Sequence, residues 1–176
     1  YISAGAWGEV DDSQAWQQGL DLLRKTAGNN KPVTQHLVSH HHTDHMSGLR
    51  SIVDQGTNLI IHPTDISAVN EHLQLSLADE RFIPIKETSY LAGGKVMLFD
   101  VPTSHASHNF AIYLPEHKLL LTEDIFGSSY QTGFHSPVGW PHGDTYHRLD
   151  VLTNKISEME LEVDQYLSTH HGRILK

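Results

Sequence analysis

The chain contains no cysteine, and this absence removes several chemistries at once. Disulfides, zinc ribbons, iron–sulfur clusters and thiol nucleophiles all require a sulfur atom that this sequence does not provide. The lack of cysteine leaves the cellular compartment open. Any metal site in this chain must use nitrogen and oxygen ligands, which restricts the candidates to His, Asp and Glu.

Cationic residues and long apolar runs are also scarce. Lys and Arg number 12 against 21 Asp and Glu, and the formal net charge is −9. A nucleic-acid surface needs clustered Lys and Arg, so we expect no nucleic-acid partner. No run approaches the ~20 apolar residues of a membrane helix, and no signal peptide is visible. We therefore expect a soluble protein without a membrane partner.

Histidine is the residue in excess, with 15 copies in 176 residues. The histidines are grouped, and the three tightest groups are His40–His42 with His45, His105 with His108, and His170 with His171. Four others stand alone and are interpreted as solvated or hydrogen-bonded residues, namely His36, His62, His72 and His117. The grouping predicts a site rather than a bulk property of the surface.

The hydrophobic pattern predicts an α/β layered domain. A helix and short βα units fill the first half, and several strands follow between Arg81 and Thr122. Residues 125–143 are rich in Gly, Ser, Pro and aromatics and are predicted to form a long loop. A helix from Asp144 to Met159 and a strand from Val163 to Ser168 complete the series. This order of elements is typical of an α/β domain.

A dense set of potential metal ligands follows the strand predicted for residues 32–39. The segment contains the pattern His-x-His-x-Asp-His, formed by His40, His42, Asp44 and His45. Side chains alternate along an extended segment, so the first two histidines can point the same way. Asp44 and His45 follow where the chain turns toward a helix. Because zinc favours imidazole nitrogen and carboxylate oxygen, the pattern predicts a metal site at this junction.

This segment resembles the signature of the metallo-β-lactamase-fold metallohydrolases. In that family a lone His, an Asp after an apolar strand and a final His follow the signature. His105 resembles the lone His, and Asp124 ends an apolar run at the family's usual interval. His171, followed by Gly172, resembles the final His, with His170 as the alternative. The resemblance covers roughly residues 2–172.

The sequence departs from the family pattern near several of these positions. Ala106 and His108 are unusual neighbours of the lone His, and Glu123 stands where the family has Gly. Ser3 stands in a segment similar to Ile-Asp-Ala-Gly, where the family's Asp supports the metal site. These departures concern the surroundings of the ligands and leave the ligand residue types intact.

The resemblance implies a metallo-β-lactamase-like four-layer αββα sandwich that holds two divalent metal ions, with zinc favoured and iron or manganese as alternatives. The implied ligands are His40, His42 and His105 for one metal, Asp44, His45 and His171 for the other, and Asp124 as the bridge. Asp44 and Asp124 are also the candidate catalytic residues, because a carboxylate can accept or relay a proton.

The wall of the substrate site is predicted to be the loop from Phe126 to Tyr146. The candidate substrate contacts are His108, Tyr130, His135, Trp140, His142, Tyr146 and His147. For Trp140 and Tyr146, packing of the loop itself is the alternative. His41 is expected to point away from its two neighbours and to have a structural or solvated role.

The implied function is a dinuclear metal-dependent hydrolase in which a metal-bridging hydroxide cleaves an ester, thioester, lactone or phosphoester bond of a small molecule. True β-lactamases of this fold generally place Cys or Ser at the position of Asp124. The resemblance therefore favours the glyoxalase II, lactonase and phosphodiesterase side, with classical glyoxalase II disfavoured because its C-terminal helical domain is missing. The alternatives are a non-catalytic metal-binding module or degenerate scaffold, and an iron-dependent sulfur dioxygenase relative.

We expect residues 1–176 to form a single metallo-β-lactamase-like domain whose N-terminal strands are missing or shortened, as in a fragment, a processed product or a short relative. The sheet edge left behind would then be exposed. Such an edge is a liability unless it is covered. We expect either a homo-oligomer or the missing N-terminal segment to cover it.

Overall fold

The architecture was obtained from a computed structural model, which describes residues 12–125, 127–129, 133–135, 142–168 and 174–175. The chain divides into two compact units, Tyr1–Ile85 and Lys86–Lys176. No helix within the described ranges is long and apolar enough to cross a membrane. The prediction of a single domain stays a prediction.

The first unit alternates helices and parallel strands. Its elements are α1 (Asp12–Ala27), β1 (Gln35–Leu37), α2 (Leu49–Asp54), β2 (Asn58–Ile61), α3 (Ile66–Leu73) and β3 (Phe82–Pro84). The strands pair in the order β1-β2-β3, with His36 opposite Leu59 and Ile60 opposite Ile83. Short 3₁₀ helices lie at Thr43–Met46, Pro63–Asp65 and Asp79–Arg81. Parallel pairing requires crossover connections, and α2 and α3 fall within them.

The core of the first unit lies between its helices and its three-stranded sheet. The buried side chains include Trp16, Leu20, Val38, Leu49, Ile52, Leu59, Ile61 and Val69. Each large apolar side chain that is fully buried contributes roughly 1.5–3 kcal/mol relative to an exposed one. Gly48 connects the 3₁₀ helix to α2 with φ at 71°, a conformation that glycine adopts readily. The core therefore holds the carboxyl end of β1, where the histidine-rich segment begins.

The second unit is built on a larger mixed sheet. Its elements are β4 (Thr88–Leu91), β5 (Val96–Asp100), β6 (Phe110–Leu114), β7 (Leu119–Leu121), β8 (Gly127–Ser129), β9 (Gly133–His135), α4 (His142–Glu158), β10 (Gln165–Leu167) and β11 (Ile174–Leu175). The strand order is β11-β10-β7-β6-β5-β4, and β10 runs parallel to β7 while the other neighbours are antiparallel. Strands β8 and β9 form a separate hairpin.

Helix α4 packs its apolar stripe on residues of this sheet. Leu152 is fully buried in a cluster with Phe99, Ala111 and Leu120, and Ile156 packs against the same cluster. The spacing of Leu152 and Ile156 is that of one helical face. The helix is therefore a firmly placed element of the second unit.

The α/β class predicted from the sequence is confirmed by the helices and the two main sheets. The predicted loop over residues 125–143 is corrected, because a hairpin occupies residues 127–129 and 133–135, and α4 begins at His142. These hairpin strands consist mainly of Gly, Ser and His around one Phe. Such short segments carry no alternation of apolar and polar residues by which they could be recognised.

His36 on β1 is fully buried, which differs from the solvated position considered for it. Its ring meets Trp16 of α1 edge to face, with 6.4 Å between ring centroids. Burial lowers the pKa of His36 to about 3. The imidazole is therefore neutral in the folded protein at ordinary pH, whereas in the unfolded chain it takes up a proton near its usual pKa of about 6.5.

Acid should destabilise the wild type through His36 by a predictable amount. Between a pH of about 6.5 and about 3 the unfolded state binds one more proton at this residue, so stability falls as pH falls. The slope contributed by His36 is at most about 1.4 kcal/mol per pH unit. We expect His36→Gln to lose less stability than the wild type on acidification, measured by urea unfolding at several pH values. Parallel curves for the two proteins would contradict this.

Candidate metal centre

In the first unit, the carboxyl end of β1 leads directly into the histidine-rich segment. His40 is fully buried, and His42 is extended, with φ −69° and ψ 143°, at the N-terminus of the 3₁₀ helix Thr43–Met46. The amide of His45 donates to the carbonyl oxygen of His42 at 3.0 Å. An extended step followed by a tight turn therefore returns His45 toward His40.

The resulting cluster contains three imidazoles and one carboxylate. The ring centroid of His40 lies 4.7 Å from that of His42 and 4.1 Å from that of His45. A ring nitrogen of His40 lies within 4.8 Å of one of His42. Asp44 places its Oδ2 3.5 Å from Nε2 of His45. The structure thus brings together four of the predicted ligands, and we call this set the unit-1 cluster.

Ser39 links two of these rings and was missed by the sequence reasoning. Its Oγ lies 3.3 Å from Nδ1 of His40 and 3.2 Å from Nδ1 of His45. One hydroxyl carries one hydrogen, so at least one ring must donate its Nδ1–H to Ser39. That tautomer leaves Nε2 of the ring as an acceptor, which is the state required of a metal ligand. The signal in the sequence was the polar residue at the end of a buried strand.

His41 makes a different contact from its neighbours. Its Nδ1 lies 3.7 Å from Oδ1 of Asp65, a buried residue at the start of α3. Its ring centroid also lies 4.9 Å from that of His42. The structure therefore places His41 in a contact with α3, in keeping with the structural role predicted for it.

In the second unit, the predicted ligands His105 and Asp124 lie together. Nε2 of His105 is 3.2 Å from Oδ2 of Asp124, and the two side chains are 6% and 7% exposed. His105 lies in the connection between β5 and β6, whereas Asp124 follows β7. The sheet brings the ends of these strands to one place although they are distant in sequence.

The turn that carries Asp124 is held by several backbone contacts. The amide of Thr122 donates to the carbonyl oxygen of Leu167 at 2.9 Å, and that of Ile125 donates to the carbonyl oxygen of Thr122 at 2.9 Å. Arg148 of α4, fully buried, donates from Nη1 to the carbonyl oxygen of Asp124 at 2.6 Å. Sequence reasoning missed Arg148, because nothing in the helical pattern marks a charged residue as buried.

His108 is paired with a carboxylate that was also not anticipated. Its Nδ1 lies 2.8 Å from Oδ2 of Asp100, the last residue of β5. Asp100 is itself fixed, because its Oδ1 accepts a hydrogen bond from the amide of Asn109 at 2.9 Å. A carboxylate can only accept, so Nδ1 of His108 carries the hydrogen and Nε2 is directed elsewhere. The His108 side chain is 26% exposed.

The other predicted substrate contacts are distributed over several elements. His135 ends β9, and His142 is the first residue of α4. Tyr146 and His147 lie further along α4 and are exposed, Tyr146 by 68%. The remaining predicted site residues, Tyr130, Trp140 and His171 with its alternative His170, lie outside the described residues.

The ligand types present in each unit fit a divalent transition metal. The unit-1 cluster offers imidazole nitrogens beside a carboxylate, and the second unit offers the same pairing in His105 and Asp124. Zinc, iron and manganese all accept such ligands, and no soft sulfur ligand is available. Ligand type alone therefore leaves the choice among these metals open.

Comparison with known proteins agrees with this chemistry. The chain matches the family model of the metallo-β-lactamase superfamily over residues 6–163. None of the curated proteins matches it. Among solved structures, a metallo-β-lactamase from Pontibacter korlensis aligns with a TM-score of 0.70 at 15% identity, covering 97% of this chain and 74% of that one.

Two further structures give a similar result. FIM-1 from Pseudomonas aeruginosa, in its mono-zinc form, has a TM-score of 0.68 at 17% identity, covering 97% of this chain and 70% of that one. The DIM-1 metallo-β-lactamase has a TM-score of 0.68 at 19% identity, covering 97% and 73%. These likenesses confirm the predicted metallo-β-lactamase-like fold and carry no substrate. Because the family model matches well over half of its length, the chain belongs to the metallo-β-lactamase superfamily.

Proposed function

We propose that the protein is a dinuclear metal-dependent hydrolase that cleaves an ester, thioester, lactone or phosphoester bond of a small molecule. The observation that carries this proposal is the unit-1 cluster, in which His40, His42 and His45 pack beside Asp44 in a member of this superfamily. Buried imidazoles gathered around a carboxylate are a typical metal-binding arrangement.

The proposed ligand set extends the unit-1 cluster with residues of the second unit and of the C-terminal segment. It consists of His40, His42 and His105 for one metal, Asp44, His45 and His171 for the other, and Asp124 between them. We propose zinc, with iron and manganese as alternatives. Two bound divalent ions would acidify a water molecule and stabilise negative charge that develops on the substrate.

The protein's own side chains have separate tasks in this proposal. Asp124 keeps its carboxylate on His105, and Asp44 keeps its Oδ2 near Nε2 of His45, so both acids are placed where a proton can be accepted. Ser39 orients two rings through their Nδ1 atoms. These contacts fix the reactive groups before a substrate arrives, which lowers the cost of organising them during the reaction.

His108 is the proposed substrate contact with the firmest support from the structure. Asp100 takes up its Nδ1–H and leaves Nε2 to meet a polar group of the substrate. The remaining candidates, His135, His142, Tyr146 and His147, stay predictions. So do Tyr130 and Trp140.

The position of Asp124 also bears on the class of substrate. The resemblance places Cys or Ser there in true β-lactamases, whereas this chain has a carboxylate. A carboxylate adds negative charge between the proposed metals and lets one side chain contact both of them. We therefore propose an ester, lactone or phosphodiester substrate ahead of a β-lactam.

Metal content and turnover test this proposal together. We expect near two metals per chain in the wild type, and turnover on a panel of generic esters, lactones and phosphodiesters. His42→Ala and Asp124→Ala should lower that turnover by roughly a hundredfold or more. The matched control is His117→Ala, which removes an exposed histidine outside the ligand set and should leave both quantities unchanged.

The possible negative results identify the alternatives. A folded, carefully purified sample without metal would refute the enzyme proposal. Metal without turnover on any substrate of the panel would favour a non-catalytic binding module. Iron content with oxygen consumption would favour the sulfur dioxygenase alternative.

Ser39→Ala tests the orientation of the ligand rings. Loss of the hydroxyl frees Nδ1 of His40 and His45 and allows the wrong tautomer, so metal affinity should fall roughly 10- to 100-fold. Competition with a chromogenic chelator measures the affinity. The control Ser157→Ala removes an exposed hydroxyl that bonds only within α4's own turn to Thr153. Equal affinities for Ser39→Ala and the wild type would show that Ser39 does not orient the ligands.

Asp100→Asn tests the role of His108 as a substrate contact. The amide keeps the size of the side chain but no longer fixes Nδ1–H of His108, so kcat/KM should fall about tenfold. Metal content should be unchanged. Asp150→Asn, which alters an exposed carboxylate on α4, is the control. A loss of metal in Asp100→Asn would instead assign the pair to the metal site.

A further inference from the structure

Two charged side chains are buried around the turn that carries Asp124, and the proposed chemistry uses neither. Glu123 is 0% exposed and Arg148 is 1% exposed. A charge removed from water is strongly disfavoured unless an opposite charge or hydrogen bonds compensate it. The two charges are opposite in sign and both belong to the second unit. Their burial in one place therefore requires an explanation.

The backbone at Glu123 adds a second observation. Its φ is 47°, in the left-handed region that glycine adopts without strain and other residues avoid. The turn closes through the amide of Ile125 on the carbonyl oxygen of Thr122, so Glu123 is the first central residue. A turn with positive φ at that position favours glycine. A glutamate here is retained against the local preference, which indicates that its side chain contributes elsewhere.

Arg148 supplies the matching partner from a rigid element. Its Nη1 donates to the carbonyl oxygen of Asp124 at 2.6 Å, one residue beyond Glu123. Consecutive Cα atoms lie about 3.8 Å apart, so the guanidinium is held within reach of the Glu123 carboxylate. A guanidinium has five N–H donors and can serve a carbonyl and a carboxylate at once. Leu152 anchors the same helix in the core one turn later.

We propose that Glu123 and Arg148 form a buried ion pair that fixes the backbone of Asp124 and thereby orients its carboxylate on His105. Both are positioning residues, since they act through Asp124. The inference rests on the proposed function, in which Asp124 is a metal ligand. Ser168 holds the same turn from β10, because its Oγ donates to the carbonyl oxygen of Glu123 at 3.4 Å. The turn is thus fixed from the sheet on one side and from α4 on the other.

Replacement by glycine separates this proposal from simple backbone strain. Glu123→Gly relieves the left-handed strain but leaves the Arg148 charge buried without its partner. We expect a lower midpoint of urea unfolding and about tenfold weaker zinc binding by the full chain, measured by chelator competition. The matched control is Gln74→Gly, which relieves a left-handed residue with φ 51° at an exposed position. It should be at least as stable as the wild type and bind zinc equally.

A double-mutant cycle tests the pairing itself. Glu123→Gln, Arg148→Gln and the double variant should be non-additive in unfolding, with a coupling of about tenfold in the equilibrium constant. If Arg148→Gln does not fold, Arg148→Lys takes its place in the cycle. Its matched control is Arg81→Lys, because Arg81 donates to the carbonyl oxygens of Val53 and Thr57 in the first unit. Arg81→Lys should lower stability and leave zinc affinity unchanged.

The outcomes distinguish the pair from the proposed function. Glu123→Gly that equals or exceeds the wild type in both stability and zinc affinity would overturn the positioning role. Additive effects in the cycle would overturn the ion pair. A wild type that binds no zinc or other divalent metal would refute the proposed function, and the coupling in unfolding would still decide whether the pair exists.

Discussion

The packing of His40 against His45 is the contact on which the unit-1 cluster depends. It exists because the chain extends through His42 and then turns within Thr43–Met46, which returns His45 to a ring centroid distance of 4.1 Å. Ser39 joins the two rings at their Nδ1 atoms and so limits which tautomers they can adopt. Without that hydroxyl, two buried imidazoles would compete for partners. With it, they present ring nitrogens as ligands.

The second unit reaches a similar result by another route. Asp124 lies after β7 and beyond the regular ladder, so its backbone groups need partners other than strand neighbours. Leu167 and Arg148 supply them, one from the end of β10 and one from α4. A ligand on a free loop would sample many orientations, whereas this turn is bonded to two separate elements. Its carboxylate is consequently held on His105 at 3.2 Å.

The sequence pattern suffices where the chemistry is local. His40, His42, Asp44 and His45 occur within one short segment, so alternation and a turn predict their convergence. His105 and Asp124 are predictable as ligand types through the family resemblance, since their contact depends on how the sheet is folded. Arg148 could not be predicted, because its burial depends on α4 covering the sheet. Solvent exposure is a tertiary property, and the same limit explains why the isolated His36 proved to be buried.

Glutamate at position 123 shows how a local rule and a site can conflict. Local preference favours glycine at φ 47°, and the family pattern has glycine there. A glycine would satisfy the turn but would leave the buried guanidinium of Arg148 without a nearby opposite charge. Once α4 carries an arginine at this point, an acidic side chain in the turn compensates that charge at the expense of backbone strain. The two residues are therefore best understood as one change from the family pattern, distributed over a turn and a helix. Departures from local preference of this kind concentrate where a structure must hold a reactive group.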